Sequence, residues 1–257
     1  MSTCRRSCGT DLAVAAARIL DFVTVRVRRV TTTRAGGVSA PPFDTFNLGD
    51  HVGDDPKAVA ANRRRLAAAI KLPDDHVIWM NQTHSDHVAV VDEPRTDAVD
   101  DTDGLVTTTP GLALAVVTAD CVPVLLADSR AGVVAAVHAG RVGAADGVVL
   151  RALESMIANG ARAEDISVLL GPAVSGANYE VPAQMAAEVE ARLPGSRTRT
   201  SRGTPGLDLR AGIARQLIGA GVRAIDSDPR CTVADKNLFS HRRVAPTGRL
   251  ACLVWME

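Results

Sequence analysis

Three side chains in this sequence could together hold a metal ion: His84 in the turn NQTHSD, Cys121 in the run TADCVPVLL, and His138 at the close of VVAAVHAG. They are 37 and 17 residues apart, so each belongs to a different local element. Zinc-finger ligands pair up a few residues apart. A catalytic site gathers ligands from distant elements and supplies three, leaving a coordination position for water or substrate. One thiolate with two imidazoles favours zinc over magnesium or calcium, and the same ligand types also admit copper. Asp120, directly before the cysteine in an apolar stretch, needs a partner if it is buried, and could orient a ligating histidine. Taken singly, each residue has a bland role: a turn histidine bonds a neighbour, a cysteine in an apolar strand is a packed thiol, and a histidine before Ala-Gly bonds a loop carbonyl. A Cys121–His138 nucleophilic pair is the other chemistry these residues permit.

Hydropathy patterning indicates the elements that must position them. Residues 23–30 (VTVRVRRV) alternate apolar and basic, the period of a strand with one solvated face, and the glycines and prolines of 34–42 end it in a loop. Asp55-Pro56 opens a helix, with Asp as N-cap, Pro in the first helical position, and Val59, Leu66 and Ile70 on one face. Residues 77–80 and 88–91 read as short strands flanking the His84 turn; 92–104 are acidic and irregular. The nearly continuous apolar runs 112–117, 122–126 and 133–137 suit strands buried on both faces and put Cys121 and His138 at strand ends. A helix carrying Val149, Ala152, Leu153 and Met156 follows, closed by Asn159-Gly160. Residues 166–170 form a strand, Pro182 starts a helix with Met185, Val189 and Leu193 on one face, and 195–206 read as a loop. Asp208 caps a helix through Leu217, and 250–256 form a closing strand. Strands alternating with helices predict an α/β fold, a single domain over residues 21–257 with mixed β-sheets and flanking helices, after a tail at 1–20. In such folds the loops at strand ends carry the chemistry.

The 29 basic residues balance 29 acidic ones, which gives no electrostatic footprint for nucleic acid or a membrane surface. A local pocket of arginines would not show in that total. Five scattered cysteines are no disulfide scaffold and predict a reducing, cytoplasmic setting; Cys4 and Cys8 fall in the tail. No apolar run is long enough to span a bilayer.

Eight segments in order resemble the YfiH/FAMIN family, also described as laccase-domain or multicopper polyphenol oxidase-domain proteins: TRAGGVS at 33–39, FNLGDHVGDDPKAVAANRRRL at 46–66, QTHSDHV at 82–88, DGLVTTTPGLALAVVTADCVPVLLAD at 103–128, HAGRVG at 138–143, LLGPAVSGANYEV at 169–181, DLRAGIARQL at 208–217 and CTVADKNLFSHRR at 231–243. The resemblance covers about Thr33 to Trp255 and implies one YfiH-like α/β domain. It implies that His84, Cys121 and His138 ligate a metal, expected to be Zn2+ rather than copper, and that Asn47 is an active-site asparagine; with it, Cys121 and Asp120 are the candidate catalytic residues. It also implies a purine nucleoside phosphorylase acting on purine nucleosides and phosphate, with adenosine deaminase and methylthioadenosine phosphorylase as further activities. Arg34, Arg242 and Arg243 are candidates to hold the phosphate bidentately. The alternatives are a copper polyphenol oxidase, whose copper sites need His-x-His pairs that the six histidines here do not form, and a non-enzymatic zinc-binding factor affecting peptidoglycan composition. Three segments depart from the family pattern. Arg141-Val142-Gly143 stands for the usual Trp-Arg-Gly, a shift expected to turn the guanidinium away from substrate. Ala173, Ala177 and Asn178 stand where cysteines are common, and His241 replaces a tyrosine.

Overall fold

Central strands that are apolar on both faces and buried at every residue dictate a stack of layers. The computed structural model describes residues 24–257, so the expected tail with Cys4 and Cys8 lies outside the described residues. The strands are β1 (Val27–Thr31), β2 (Val77–Ile78), β3 (Val88–Val90), β4 (Gly104–Thr107), β5 (Ala113–Thr118), β6 (Val122–Asp128), β7 (Val133–Ala139), β8 (Ser167–Leu170), β9 (Arg197–Arg199), β10 (Pro205–Leu207), β11 (Ala224–Ser227) and β12 (Leu250–Met256). The helices are α1 (Pro56–Ile70), α2 (Arg141–Asp146), α3 (Val148–Ala158), α4 (Ala183–Arg192) and α5 (Leu209–Gly219). A four-stranded sheet runs β1-β12-β5-β2 and a six-stranded sheet β11-β8-β6-β7-β4-β3, with β9 and β10 paired separately. Both large sheets mix parallel and antiparallel neighbours.

Period-two side chains sort the core into layers. Leu114, Val116, Cys252 and Val254 from one sheet meet Leu105, Leu125, Val134 and Ala136 from the other. Their sequence neighbours Ala113, Ala115, Val117 and Leu253 turn the opposite way, against Leu66 and Ala67 of α1. On the outer face of the six-stranded sheet, Val124, Leu126 and Val137 pack under Leu153, Met156, Val189, Ile213 and Leu217. The result is a helix, two stacked sheets and a helical layer. No helix among the described residues is long and apolar enough to cross a membrane.

Asp55 caps α1 as expected, its side chain accepting from the Lys57 amide at 2.9 Å. Several expectations are corrected. The stretch 195–206 is no plain loop, because β9 and β10 pair antiparallel across it. The irregular acidic stretch ends in β4, which is fully buried, and the mostly exposed β11 lies at a sheet edge. The helix after His138 is two helices, split at Gly147 by a left-handed φ of 95°. For the site, the connections are decisive. Those after β2 and after β5 each cross from the four-stranded to the six-stranded sheet, and β7 ends beside the second crossing, with His138 opposite Pro123.

Candidate metal centre

His84 sits in the first crossing, at a left-handed φ of 63°, and Cys121 in the second, just after Asp120 at φ 106°. His138 ends β7. One ligand atom from each of the three lies within 4.8 Å of the others, and Cys121 Sγ is 3.9 Å from His84 Nε2. Bonds of ~2.0–2.3 Å to one tetrahedral zinc set donors roughly 3.5 Å apart, so a small contraction would bring this N2S set onto an ion. The donor chemistry and spacing fit zinc. The imidazoles stand edge to face, their centroids 4.8 Å apart. A Cβ at position 140 would lie 2.6 Å from His84 Cδ2, and one at 143 would lie 2.6 Å from the Ser85 carbonyl, so both glycines are needed for the turn after β7 to close on the His84 loop.

The carboxylate that orients these candidate ligands is Asp103, which sequence reasoning passed over. Fully buried, it accepts from His138 Nδ1 at 2.7 Å and the His84 amide at 3.1 Å through Oδ1. Its Oδ2 accepts from the Ser85 amide at 2.7 Å and hydroxyl at 2.9 Å. With Nδ1 thus committed, Nε2 of His138 is the nitrogen left to face an ion. Asp120, expected in that role, has other partners: it accepts from Thr232 Oγ1 at 2.6 Å and the Arg242 amide at 2.7 Å, fixing the loop before β12.

The electrostatics match a metal-type site. Burial pushes the Cys121 thiol up, but the adjacent His138 and His84 outweigh it and hold it at about 6. Burial pushes His138 down, yet Cys121 and Asp103 raise it to about 9. Asp103, despite its burial, is held at about 2 by the donors from His138 and Ser85. The metal-free chain at neutral pH therefore pairs a thiolate with an imidazolium.

The three ligands open into a cavity of about 550 Å3, whose lining also includes Thr118, Arg141, Tyr179, His241, Arg242 and Arg249. That is the size and mixed polarity of a small-molecule site. Residues 28–257 match the family described as multi-copper polyphenol oxidoreductase laccase. The chain belongs to this family. It is 76% identical over 235 residues to a purine nucleoside phosphorylase of Mycobacterium tuberculosis, covering 91% of this chain and 94% of that protein. A purine nucleoside phosphorylase of Corynebacterium glutamicum is 60% identical over 232 residues, covering 90% and 94%. Two solved structures, the hypothetical protein YfiH of Bacillus licheniformis at 31% identity and YlmD of Geobacillus stearothermophilus at 33%, superpose with TM-scores of 0.85. They cover 90% and 92% of this chain, and each is itself covered to 93%.

Within this laccase-domain fold the remaining sequence candidates divide. Arg242 lines the cavity, stacked 4.5 Å above the Tyr179 ring and bonded to the Glu180 carbonyl at 2.9 Å. Arg34 and Arg243 are not in the lining. Arg34 pairs with Asp44 at 2.9 Å, and Arg243 donates to the carbonyls of Thr232 at 2.6 Å, Asp235 at 2.8 Å and Leu238. Asn47 is buried, its side chain in four hydrogen bonds, one accepted from the Arg249 amide at 2.8 Å, so it reaches the cavity through Arg249. Arg141, expected to point away, lines the cavity, while Val142 is 41% exposed.

Proposed function

We propose that this protein is a zinc-dependent purine nucleoside phosphorylase. The observation that carries the reading is the convergence of His84, Cys121 and His138 at a cavity large enough for a nucleoside. Close relatives bearing the name purine nucleoside phosphorylase support it. The N2S donor set favours zinc, and such an ion supplies a Lewis acid and acidifies water at its open position. Asp103 fixes the histidine tautomer and the His84 loop. Arg242 stacked on Tyr179 offers a flat, partly apolar wall suited to a purine ring. In phosphorolysis a phosphate oxygen bonds to the anomeric carbon, the carbon–nitrogen bond to the base breaks, and the electron pair leaves with the purine, which takes up a proton. Asn47 acts by holding Arg249, and Asp120 by holding the backbone of Arg242. Deamination of adenosine and phosphorolysis of methylthioadenosine are further activities of the same cavity in this reading. The free thiols Cys121, Cys231 and Cys252 suit a reducing, cytoplasmic setting.

The test is incubation of metal-loaded and chelator-stripped protein with inosine or adenosine, with and without phosphate. Free base and ribose-1-phosphate formed only with both metal and phosphate are expected, and ammonia from adenosine would report deamination. Oxygen uptake with a phenol and copper, in the absence of nucleoside turnover, would establish the oxidase instead. Folded, zinc-loaded protein inert in every arm would leave a binding role.

A further inference from the structure

The chain as a whole carries no net charge, but the cavity at the candidate metal centre does. Three guanidinium groups, Arg141, Arg242 and Arg249, line it against one carboxylate, Asp120, and that carboxylate is taken up by Thr232 and the Arg242 backbone. A divalent ion with a single thiolate adds to the positive excess. Arg242 is committed to Tyr179 and the Glu180 carbonyl. Neither of the other two arginines makes an ion pair among the described residues, and the negative charges near Arg249 are those of Cys121 and Asp120. Arg249 is half-buried, and its side-chain hydrogen bonds among the described residues are one nitrogen's donations to the carbonyls of Thr247 at 3.0 Å and Gly248 at 3.2 Å. Arg141, three residues after His138 and half-buried, makes no side-chain hydrogen bond or ion pair among the described residues. Desolvated cations without partners cost stability unless a ligand supplies the missing charge.

An independent polar group points to the same place. Thr118 is 1% exposed and lines the cavity, and its hydroxyl oxygen is buried with no hydrogen-bond partner. Thr118 faces Leu250 in the β5–β12 register, next to Arg249 in the chain. Buried hydroxyls are normally satisfied, so an orphan at a cavity wall marks a ligand atom's position. Thr118 ends β5 and Arg249 directly precedes β12, both of the four-stranded sheet, while Arg141 opens α2 just after β7 of the six-stranded one.

We propose that Arg249, Arg141 and Thr118 form the subsite that holds inorganic phosphate beside the metal centre, which rests on the phosphorylase reading for the identity of the anion. Each guanidinium presents a planar fork to two phosphate oxygens, and the threonine hydroxyl donates to a third. The bound dianion offers one oxygen to the sugar carbon, and nothing is oxidised or reduced.

The experiment measures equilibrium binding of radiolabelled inorganic phosphate to the zinc-loaded full chain, with inosine binding measured separately. The proteins are the wild type, Arg249→Lys, Arg141→Gln, Thr118→Val, and Arg130→Gln as a remote control paired with Asp165. Arg249→Lys keeps the charge and loses the fork. Arg141→Gln removes no described contact, so it reports even if an Arg249 variant folds poorly. Saturable phosphate binding is expected in the wild type and the control, weakened at least about tenfold in Arg249→Lys and Arg141→Gln, with inosine binding unchanged. Phosphate binding equal in all proteins, or no saturable binding in the wild type, overturns the subsite. Arginine-dependent phosphate binding without cleavage of any nucleoside keeps the subsite and removes the phosphorylase reading. Phosphorolysis with an unaltered phosphate KM in both arginine variants does the reverse.

Discussion

The two histidines of the candidate metal centre share a single carboxylate. Asp103 accepts from His138 Nδ1 at 2.7 Å and from the His84 amide at 3.1 Å, so one side chain sets both the tautomer of one ligand and the loop of the other. Asp103→Asn keeps the shape and puts a neutral amide where charged acceptors are needed; it is expected to weaken zinc binding roughly 10–100-fold in a chelator competition. Unchanged affinity would reduce Asp103 to a packing role. The titrations lead to a second prediction. In the metal-free chain Cys121 stands at about 6 and His138 at about 9. At neutral pH the thiol has therefore already lost its proton, while the imidazole still carries an extra one that a metal must displace. Metal binding should release about one proton near neutrality and tighten as pH rises toward His138's own value, as calorimetry in buffers of different protonation enthalpy would show. Zero release would mean that His138 does not ligate. The three candidate ligands, which the fold brings within 4.8 Å of one another, were legible in the sequence because Cys121 and His138 end apolar runs and His84 sits in the turn between two. Asp103 was not, since it is the last of four aspartates in residues 97–103. Only tertiary pairing, including the His138 amide bonded to its carbonyl at 2.7 Å, singles it out.

The turn from β7 into α2 brings backbone against the His84 loop with no room for a methyl group. Because the obstacle at position 143 is the Ser85 carbonyl at 2.6 Å rather than a flexible side chain, Gly143→Ala should shift the His84 loop and lower zinc affinity. Asp55→Ala, which removes the cap of α1 and no contact of His84, Cys121 or His138, should cost about 1 kcal/mol in chemical denaturation and leave zinc affinity alone. Equal zinc affinities in the two variants would show that the tight turn does not position the site. The same elements explain what patterning can read. Strands β5, β6, β7 and β12 are buried at every residue, and their unbroken apolar runs are visible without a structure. Strand β9 reads Arg-Thr-Arg and β11 is largely exposed, so their hydrogen bonding depends on neighbours that hydropathy does not encode. Strand β4 is short and follows directly on the acidic stretch, and its pairing with β7 and β3 reveals it.

A metal held by His84, Cys121 and His138 would link binding to stability, because these candidate ligands lie where the two sheets are joined. His84 and Cys121 occupy the two crossings between the sheets, and His138 ends a central strand of the larger one. An ion bound there ties both crossings to that strand in the folded state, and the unfolded chain offers no such arrangement. Mass action then stabilises the fold by about 2.7 kcal/mol when free metal is 100 times its Kd. For a domain of this size each kcal/mol moves Tm by roughly 2–4 °C, so chelation should lower Tm by about 5–10 °C. Asp103→Asn should shrink that difference by weakening the ion's hold. Leu125→Ala, in the layer between the sheets, should instead lower Tm with and without metal alike, at a cost of about 2–5 kcal/mol. Scanning calorimetry on the three proteins, each with and without metal, separates the two effects. A wild-type Tm that does not respond to saturating zinc would mean that His84, Cys121 and His138 do not share an ion.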